Sequence, residues 1–180
     1  IVRQGLWLAV SLGALCFMTL RCSPVLLVAV GVEPAIIPIV DDYLCALSWG
    51  MWPVFIGVAL RLFSEGIGRT RPVLLISLPG LVVNIVADYV LIFGHWGFPA
   101  LGASGCGIAT ALGMLTMLIG MIAVLLLDDR YRSYGLFRRW DWPDWRIVRP
   151  LLVLGVPIGI GLFLETAVFA AVALLLGTLG

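Results

Sequence analysis

The sequence predicts an all-α protein, a polytopic membrane helix bundle with about five transmembrane helices. Of the 180 residues, 62% are hydrophobic and only 12% are charged, whereas soluble domains devote about a quarter of their residues to charge. Five stretches are apolar over the roughly 20 residues that a helix needs to cross a bilayer. Because no ten-residue segment alternates as a barrel strand would, we expect helices and no membrane barrel.

The five predicted spans follow one another along the chain. They cover residues 5–23, 43–63, 72–93, 102–127 and 147–180. Between the first two spans, residues 24–32 are expected to form a short re-entrant or interfacial turn, and residues 33–42 an acidic, Pro-rich connection. Pro53, Pro79 and Pro157 lie inside apolar runs, where each removes a backbone donor and favours a bend.

Small residues recur at helical spacing in two of the spans. Ala103, Gly107 and Ala111 are four residues apart, as are Gly155 and Gly159. Association of helices in lipid depends on close backbone packing, which small residues permit. These positions therefore predict helix contacts and carry no functional information by themselves.

Arginine sets the expected orientation of the bundle. The eleven basic residues are all arginine, and every one except Arg21 lies on the same side of the predicted spans, the side that the positive-inside rule makes cytoplasmic. The long polar segment 128–149 lies on that side and carries Trp140, Trp142 and Trp145, which suit a headgroup boundary. We therefore divide the chain into four helices in residues 1–127, a cytoplasmic linker in 128–149, and a further helix in 150–180.

Several kinds of site are excluded by composition and spacing. A net charge of +1 gives no basic field for nucleic acid, so no nucleic-acid partner is expected. The four cysteines form no paired metal or redox spacing, so we interpret Cys16, Cys22, Cys45 and Cys106 as packing residues. His95 is the only histidine and has no second residue with which to form a metal or acid–base site. With no nucleophile motif around Ser104, we expect neither an enzyme nor a cofactor.

Two carboxylates lie inside predicted spans, Asp88 in the third and Glu165 in the fifth. A charged side chain at the bilayer centre costs about 2.5 to 3.5 kcal/mol or more, so such residues usually have a partner and a function. Asn84 lies one turn before Asp88 on the same helix face, and Thr110 on the next span offers a hydroxyl. These oxygen ligands would suit Na⁺, whereas a proton would be held by the carboxylate alone. The structural alternative is an acid that reaches headgroup water or caps a neighbouring backbone.

Longer strings of the sequence resemble the multidrug and toxic compound extrusion (MATE) family, and its NorM-type branch in particular. The similarity is in order along nearly the whole chain. It is carried by residues 43–53 (YLCALSWGMWP), 61–72 (RLFSEGIGRTRP), 84–94 (NIVADYVLIFG), 99–112 (PALGASGCGIATAL) and 154–169 (LGVPIGIGLFLETAVF).

The resemblance implies a twelve-helix transporter in two lobes, of which this chain would be a fragment with helices three to seven. Asn84, Asp88 and Thr110 then match a first-lobe cation site, with no metal beyond a possible Na⁺, and Glu165 matches an acid of helix seven. NorM-type members often carry Asn at the position of Asp88. The family's first-lobe site also uses an acid on helix one, which this chain does not contain.

The function implied is a cation-coupled antiporter that exports organic, often cationic, drug-like compounds while Na⁺ or H⁺ moves inward. We expect an integral membrane location, in the bacterial inner membrane, with membrane lipid and the remaining helices of the parent protein as partners. Two alternatives remain open at this point: a flippase for a lipid-linked molecule with a related fold, or a truncated membrane protein without transport activity.

Overall fold

The computed structural model describes residues 2–30, 33–132, 134 and 142–179, and the regular structure in these ranges is entirely helical. The expected all-α class is therefore confirmed. The helices are α1 (Val2–Arg21), α2 (Ser23–Val30), α3 (Ile37–Ser48), α4 (Met51–Gly66), α5 (Arg71–Phe93), α6 (Ala103–Leu127), α7 (Asp129–Arg132) and α8 (Trp145–Leu179). Residues Arg138, Arg139 and Trp140 fall outside the described residues. They include two of the arginines expected on the cytoplasmic side and one of the tryptophans expected at the headgroup boundary.

Four helices have the length and hydropathy to cross a membrane, namely α1, α5, α6 and the part of α8 from Trp145 to Phe169. The pair α3 and α4 meets the same criteria together, with a bend of 45° between its members. Four or five candidate spans therefore exist in the described part of the chain, in agreement with the prediction of about five. The bounds of α5 and α6 differ from the predicted ones by a single residue.

The second span departs from its prediction. The helical structure starts at Ile37, so residues 37–42 are helix and not the expected connection. Pro38 lies in the first turn of α3, where a missing N–H costs nothing, because the first helical amides have no partner within the helix. Of residues 24–32, expected to form a short turn, residues 24–30 are helical as part of α2, and the other two lie outside the described residues.

The bend in the second span lies at Trp49 and Gly50, just before Pro53. Because proline has no N–H, Pro53 cannot donate the bond that would continue the helix back toward Trp49. The predicted effect of Pro53 is thus seen a few residues upstream of it. By contrast, α5 continues through Pro79 and α8 through Pro157 without a break in the helix.

The chain divides into two compact units, Val2–Trp140 and Asp141–Gly180. In the first unit α6 is central, since it packs against α3, α4 and α5. The second unit contains α8, where Gly155 and Gly159 have no atom within 4 Å of a Cβ placed on them. The helix contact predicted for these two glycines is therefore not seen within that unit.

Glycines bring the neighbours of α6 close to its backbone. A Cβ on Gly107 would lie 2.6 Å from the carbonyl oxygen of Tyr43 on α3, and one on Gly105 would lie 2.7 Å from that of Leu91 on α5. Ala111 faces Gly50 at the bend, since its Cα would be 3.2 Å from a Cβ there. The predicted packing role of residues 107 and 111 is confirmed.

Candidate functional site

The site candidates of the first unit lie along the antiparallel contact between α5 and α6. At one point Asn84 packs against Gly113, where a new Cβ would meet the Asn84 Cβ at 3.0 Å. Nearer the other end of the contact, Leu91 packs against Gly105. Asp88 lies between these two points on α5, so its carboxylate is held where two helix backbones come close together.

The Asp88 carboxylate is incompletely satisfied. Its Oδ1 atom is buried and has no hydrogen-bond partner among the described residues. A buried polar atom without a partner costs free energy, and such atoms in native structures often mark an ion site or a functional strain. This buried oxygen keeps the free lone pairs that a bound cation or proton requires.

Cys106 joins the residues predicted from sequence. Its thiol lies against both the Asp88 carboxylate and the Thr110 hydroxyl. Thr110 donates its own hydrogen to the carbonyl oxygen of Cys106 at 3.0 Å, which leaves the lone pairs of Thr110 Oγ1 available as acceptors. Asp88 and Thr110 therefore face one small region, with the Cys106 side chain between them.

Sequence reasoning missed Cys106 because we interpreted all four cysteines as packing residues. The signal available was its position four residues before Thr110, which places both side chains on one face of α6. Cys45 also has a polar neighbour, since Arg21 Nη1 donates to its sulfur at 2.6 Å.

Glu165 lies on α8 in the second unit, where its side chain is exposed. The role of Glu165 as a coupling acid stays a prediction. Ion binding by Asn84, Asp88 and Thr110 likewise stays a prediction, although these three residues lie along one helix contact.

His95 and Ser104 have local structural roles. The His95 ring stacks on Tyr89 with centroids 4.2 Å apart, and the Ser104 hydroxyl donates to the carbonyl oxygen of Leu101 at 2.9 Å. Within the residues that the structure describes, no group of three or more His, Cys, Asp or Glu side chains could hold a metal ion.

A second polar cluster, the α4–α7 cluster, joins the loop after α4 to the end of α6 and to α7. It consists of Ser64, Arg69, Asp128 and Tyr131. Arg69 pairs with Asp128 at 3.0 Å, and its guanidinium lies 5.2 Å from the centroid of the Tyr131 ring. Ser64 donates to the carbonyl oxygen of Arg69 at 2.8 Å. The 2.6 Å contact between the two hydroxyls must therefore have Tyr131 as donor, because a serine has only one hydroxyl hydrogen.

Membrane-length helices around a buried acid with a free oxygen are typical of ion-coupled membrane transporters. The MatE family profile matches residues 1–90, half of this chain. The chain belongs to this family, the multidrug and toxic compound extrusion transporters, and the family resemblance found in the sequence is confirmed. The family is one of membrane transporters and not of enzymes, and the candidate spans indicate an integral membrane protein.

Curated bacterial relatives match the whole chain. The probable multidrug resistance protein NorM of Idiomarina loihiensis is 39% identical over 180 residues, covering 100% of this chain and 39% of the relative. The multidrug resistance protein PmpM of Pseudomonas aeruginosa is also 39% identical over 180 residues, covering 99% of this chain and 38% of the relative. The chain thus spans about two fifths of the length of the relatives it matches.

Proposed function

We propose that this chain contributes part of a cation-coupled multidrug efflux antiporter, in which Asp88 on α5 binds the coupling ion. The observation that carries the proposal is the buried Asp88 Oδ1, which lacks a hydrogen-bond partner among the described residues. Family membership supports the transport class, and the names of the relatives support drug-like substrates. The substrates we propose are organic, often cationic compounds, and the location is the bacterial inner membrane.

Coupling requires that the ion bind one arrangement of the transporter more tightly than the other. A cation or proton at Asp88 would neutralise the carboxylate and supply the partner that Oδ1 lacks. The oxygen of Thr110 and the amide of Asn84 lie on the same helix contact and would complete the ligand set for Na⁺. The chain's own residues would thus make one ion-bound packing of α5 on α6 more stable than the ion-free one.

Glu165 is the second proposed coupling acid. It lies within the candidate span Trp145–Phe169 of α8, where a charged side chain is costly and calls for a partner. Its partner would come from the remaining helices of the family's two-lobe fold.

The test compares Asp88→Asn and Glu165→Gln in the protein expressed from its complete gene. Both changes keep the shape of the side chain and remove its ability to ionise. We expect Asp88→Asn to reduce ion-driven efflux of a fluorescent organic cation from cells by about 5- to 150-fold, the usual range of coupling between two sites. Full efflux in both variants would refute the mechanism.

Asp42→Asn is the matched control for this test. Asp42 is an exposed acid on α3, so the same chemical change occurs outside the proposed site. Efflux should be retained in this variant. Imposing a Na⁺ or a pH gradient separately on vesicles that contain the protein then identifies the coupling ion.

A further inference from the structure

An apolar groove runs between α5 and α6 over the half of these helices that ends at the arginine-rich, cytoplasmic side. It has a volume of about 660 Å³. From α5 it is lined by Leu75, Ile76 and Pro79, and from α6 by Ile119, Gly120 and Ala123 among others. It is separate from the Asp88 site, since neither Asp88 nor its neighbours line it.

The groove arises from a contrast in side-chain size. Gly120 lets α6 approach α5 so closely that a Cβ there would meet the Ile76 Cγ2 at 2.7 Å, and Ala123 adds only one methyl group beside it. Large side chains stand out on either side, with Leu75 67% exposed and Leu127 82% exposed. The result is a groove with mainly hydrocarbon walls, open along one side.

The cytoplasmic end of the groove carries two charged residues, Asp128 and Arg71. Asp128 is already neutralised, because one carboxylate oxygen pairs with Arg69 at 3.0 Å and the other accepts from the backbone N–H of Arg130 at 3.0 Å. Arg71 is exposed, and its guanidinium has no ion pair or hydrogen bond to the described part of the chain. The uncompensated positive charge of Arg71 therefore lies at the cytoplasmic end of the apolar groove.

We propose that this groove binds one acyl chain of an anionic phospholipid from the cytoplasmic leaflet, with the lipid phosphate on Arg71. The apolar walls of the groove are complementary to a linear acyl chain. The guanidinium of Arg71 is complementary to a phosphate, to which arginine donates two parallel hydrogen bonds. The position of Arg71 at the cytoplasmic end of the groove also fits a headgroup, because anionic headgroups of the cytoplasmic leaflet attract basic residues at the membrane surface. The same charge would repel an organic cation, so a transported drug is a poor occupant.

The test uses native mass spectrometry of the protein expressed from its complete gene and purified in detergent, with added phosphatidylglycerol or phosphatidylcholine. We expect the protein to bind a phosphatidylglycerol more tightly than a phosphatidylcholine. Arg71→Gln should weaken phosphatidylglycerol binding about tenfold, as expected for the loss of one charge-assisted contact, and should leave phosphatidylcholine binding unchanged. Ala123→Phe, which fills the groove, should reduce the binding of both lipids.

Arg61→Gln is the matched control, because Arg61 also lies toward the cytoplasmic side but pairs with Glu65 at 2.7 Å and does not line this groove. It should preserve the lipid preference. The proposal is overturned if Arg71→Gln and Ala123→Phe both leave lipid binding unchanged, or if Arg61→Gln weakens it equally. It is also overturned if the wild type binds neither lipid, as when another segment of the protein covers the groove. Since no ion gradient is involved, Asp88→Asn should bind lipid normally, which separates this inference from the proposed antiport.

Discussion

The carboxylate of Asp88 is the residue whose chemistry most depends on its neighbours. Its Oδ1 is buried without a described partner, and the Cys106 thiol lies against the carboxylate. A thiol is a weak hydrogen-bond donor, so it compensates the carboxylate only partly. This leaves the side chain responsive to a bound ion.

Replacing Cys106 tests the thiol's contribution. Cys106→Ala removes the polar neighbour of the carboxylate and should lower the free energy of unfolding by about 1 kcal/mol, the typical net value of one hydrogen bond. Cys106→Ser retains a donor and should lose less. Thermal unfolding of the purified protein in detergent measures both, and equal stability of the alanine and serine variants would contradict a polar role.

The candidate residues that sequence could identify were those whose polarity contrasts with an apolar run. Asp88, Asn84 and Thr110 stand out in this way, and hydropathy alone draws attention to them. Cys106 does not stand out, because cysteine counts as apolar on a hydropathy scale. Its polar role depends on the packing of α5 against α6, which brings Asp88 next to the thiol. The partners of Glu165 could not be predicted, because we propose that they come from the remaining helices of the family's two-lobe fold.

Hydropathy predicts where the helices begin and end, but it does not predict the angles between them. Bounds of α5 and α6 could be predicted to within a residue because long apolar runs end at charged or glycine-rich turns. The 45° bend between α3 and α4 could be predicted only roughly, from Pro53. Hydropathy reports which residues prefer lipid, whereas the bend depends on backbone bonds around Trp49 and Gly50.

Glycine-to-alanine changes should separate crowded from open helix positions. Gly107→Ala places a Cβ 2.6 Å from the carbonyl oxygen of Tyr43 and should destabilise the protein by about 1–3 kcal/mol, as overpacking does. Gly57→Ala, on α4, meets no atom within 4 Å and should be neutral or stabilising by about 0.5–1 kcal/mol, because alanine favours the helix. The unfolding temperature in detergent should fall for Gly107→Ala and stay unchanged or rise for Gly57→Ala, and a fall in both variants would contradict the packing.

At the scale of the first unit, the α4–α7 cluster ties the segment after α6 back to the loop after α4. Ser64 is fully buried and Tyr131 is 2% exposed. Tyr131 also belongs to the hydrophobic cluster with Leu60 and Leu125. The start of segment 128–149 is therefore a packed part of the unit, a feature that its polar composition did not indicate.

A double-mutant cycle on the two hydroxyls tests this attachment. Tyr131→Phe leaves the buried Ser64 oxygen without its donor and should cost about 1–3 kcal/mol. Ser64→Ala should cost a similar amount, and the double variant should cost less than the sum, with a coupling of about 0.5–3 kcal/mol. Additive unfolding free energies would show that the hydroxyls do not interact.

Because neighbouring helices touch the main chain of α6 on two sides, at Gly105 and at Gly107, no side chain larger than a hydrogen atom fits at these two positions in this packing. In a deep mutational scan, its tolerance should rise and fall with the helical repeat, and only the smallest amino acids should survive at the crowded positions. The crowded face of α6 would then stay nearly invariant, and sequence variation along this helix would be confined to its open face.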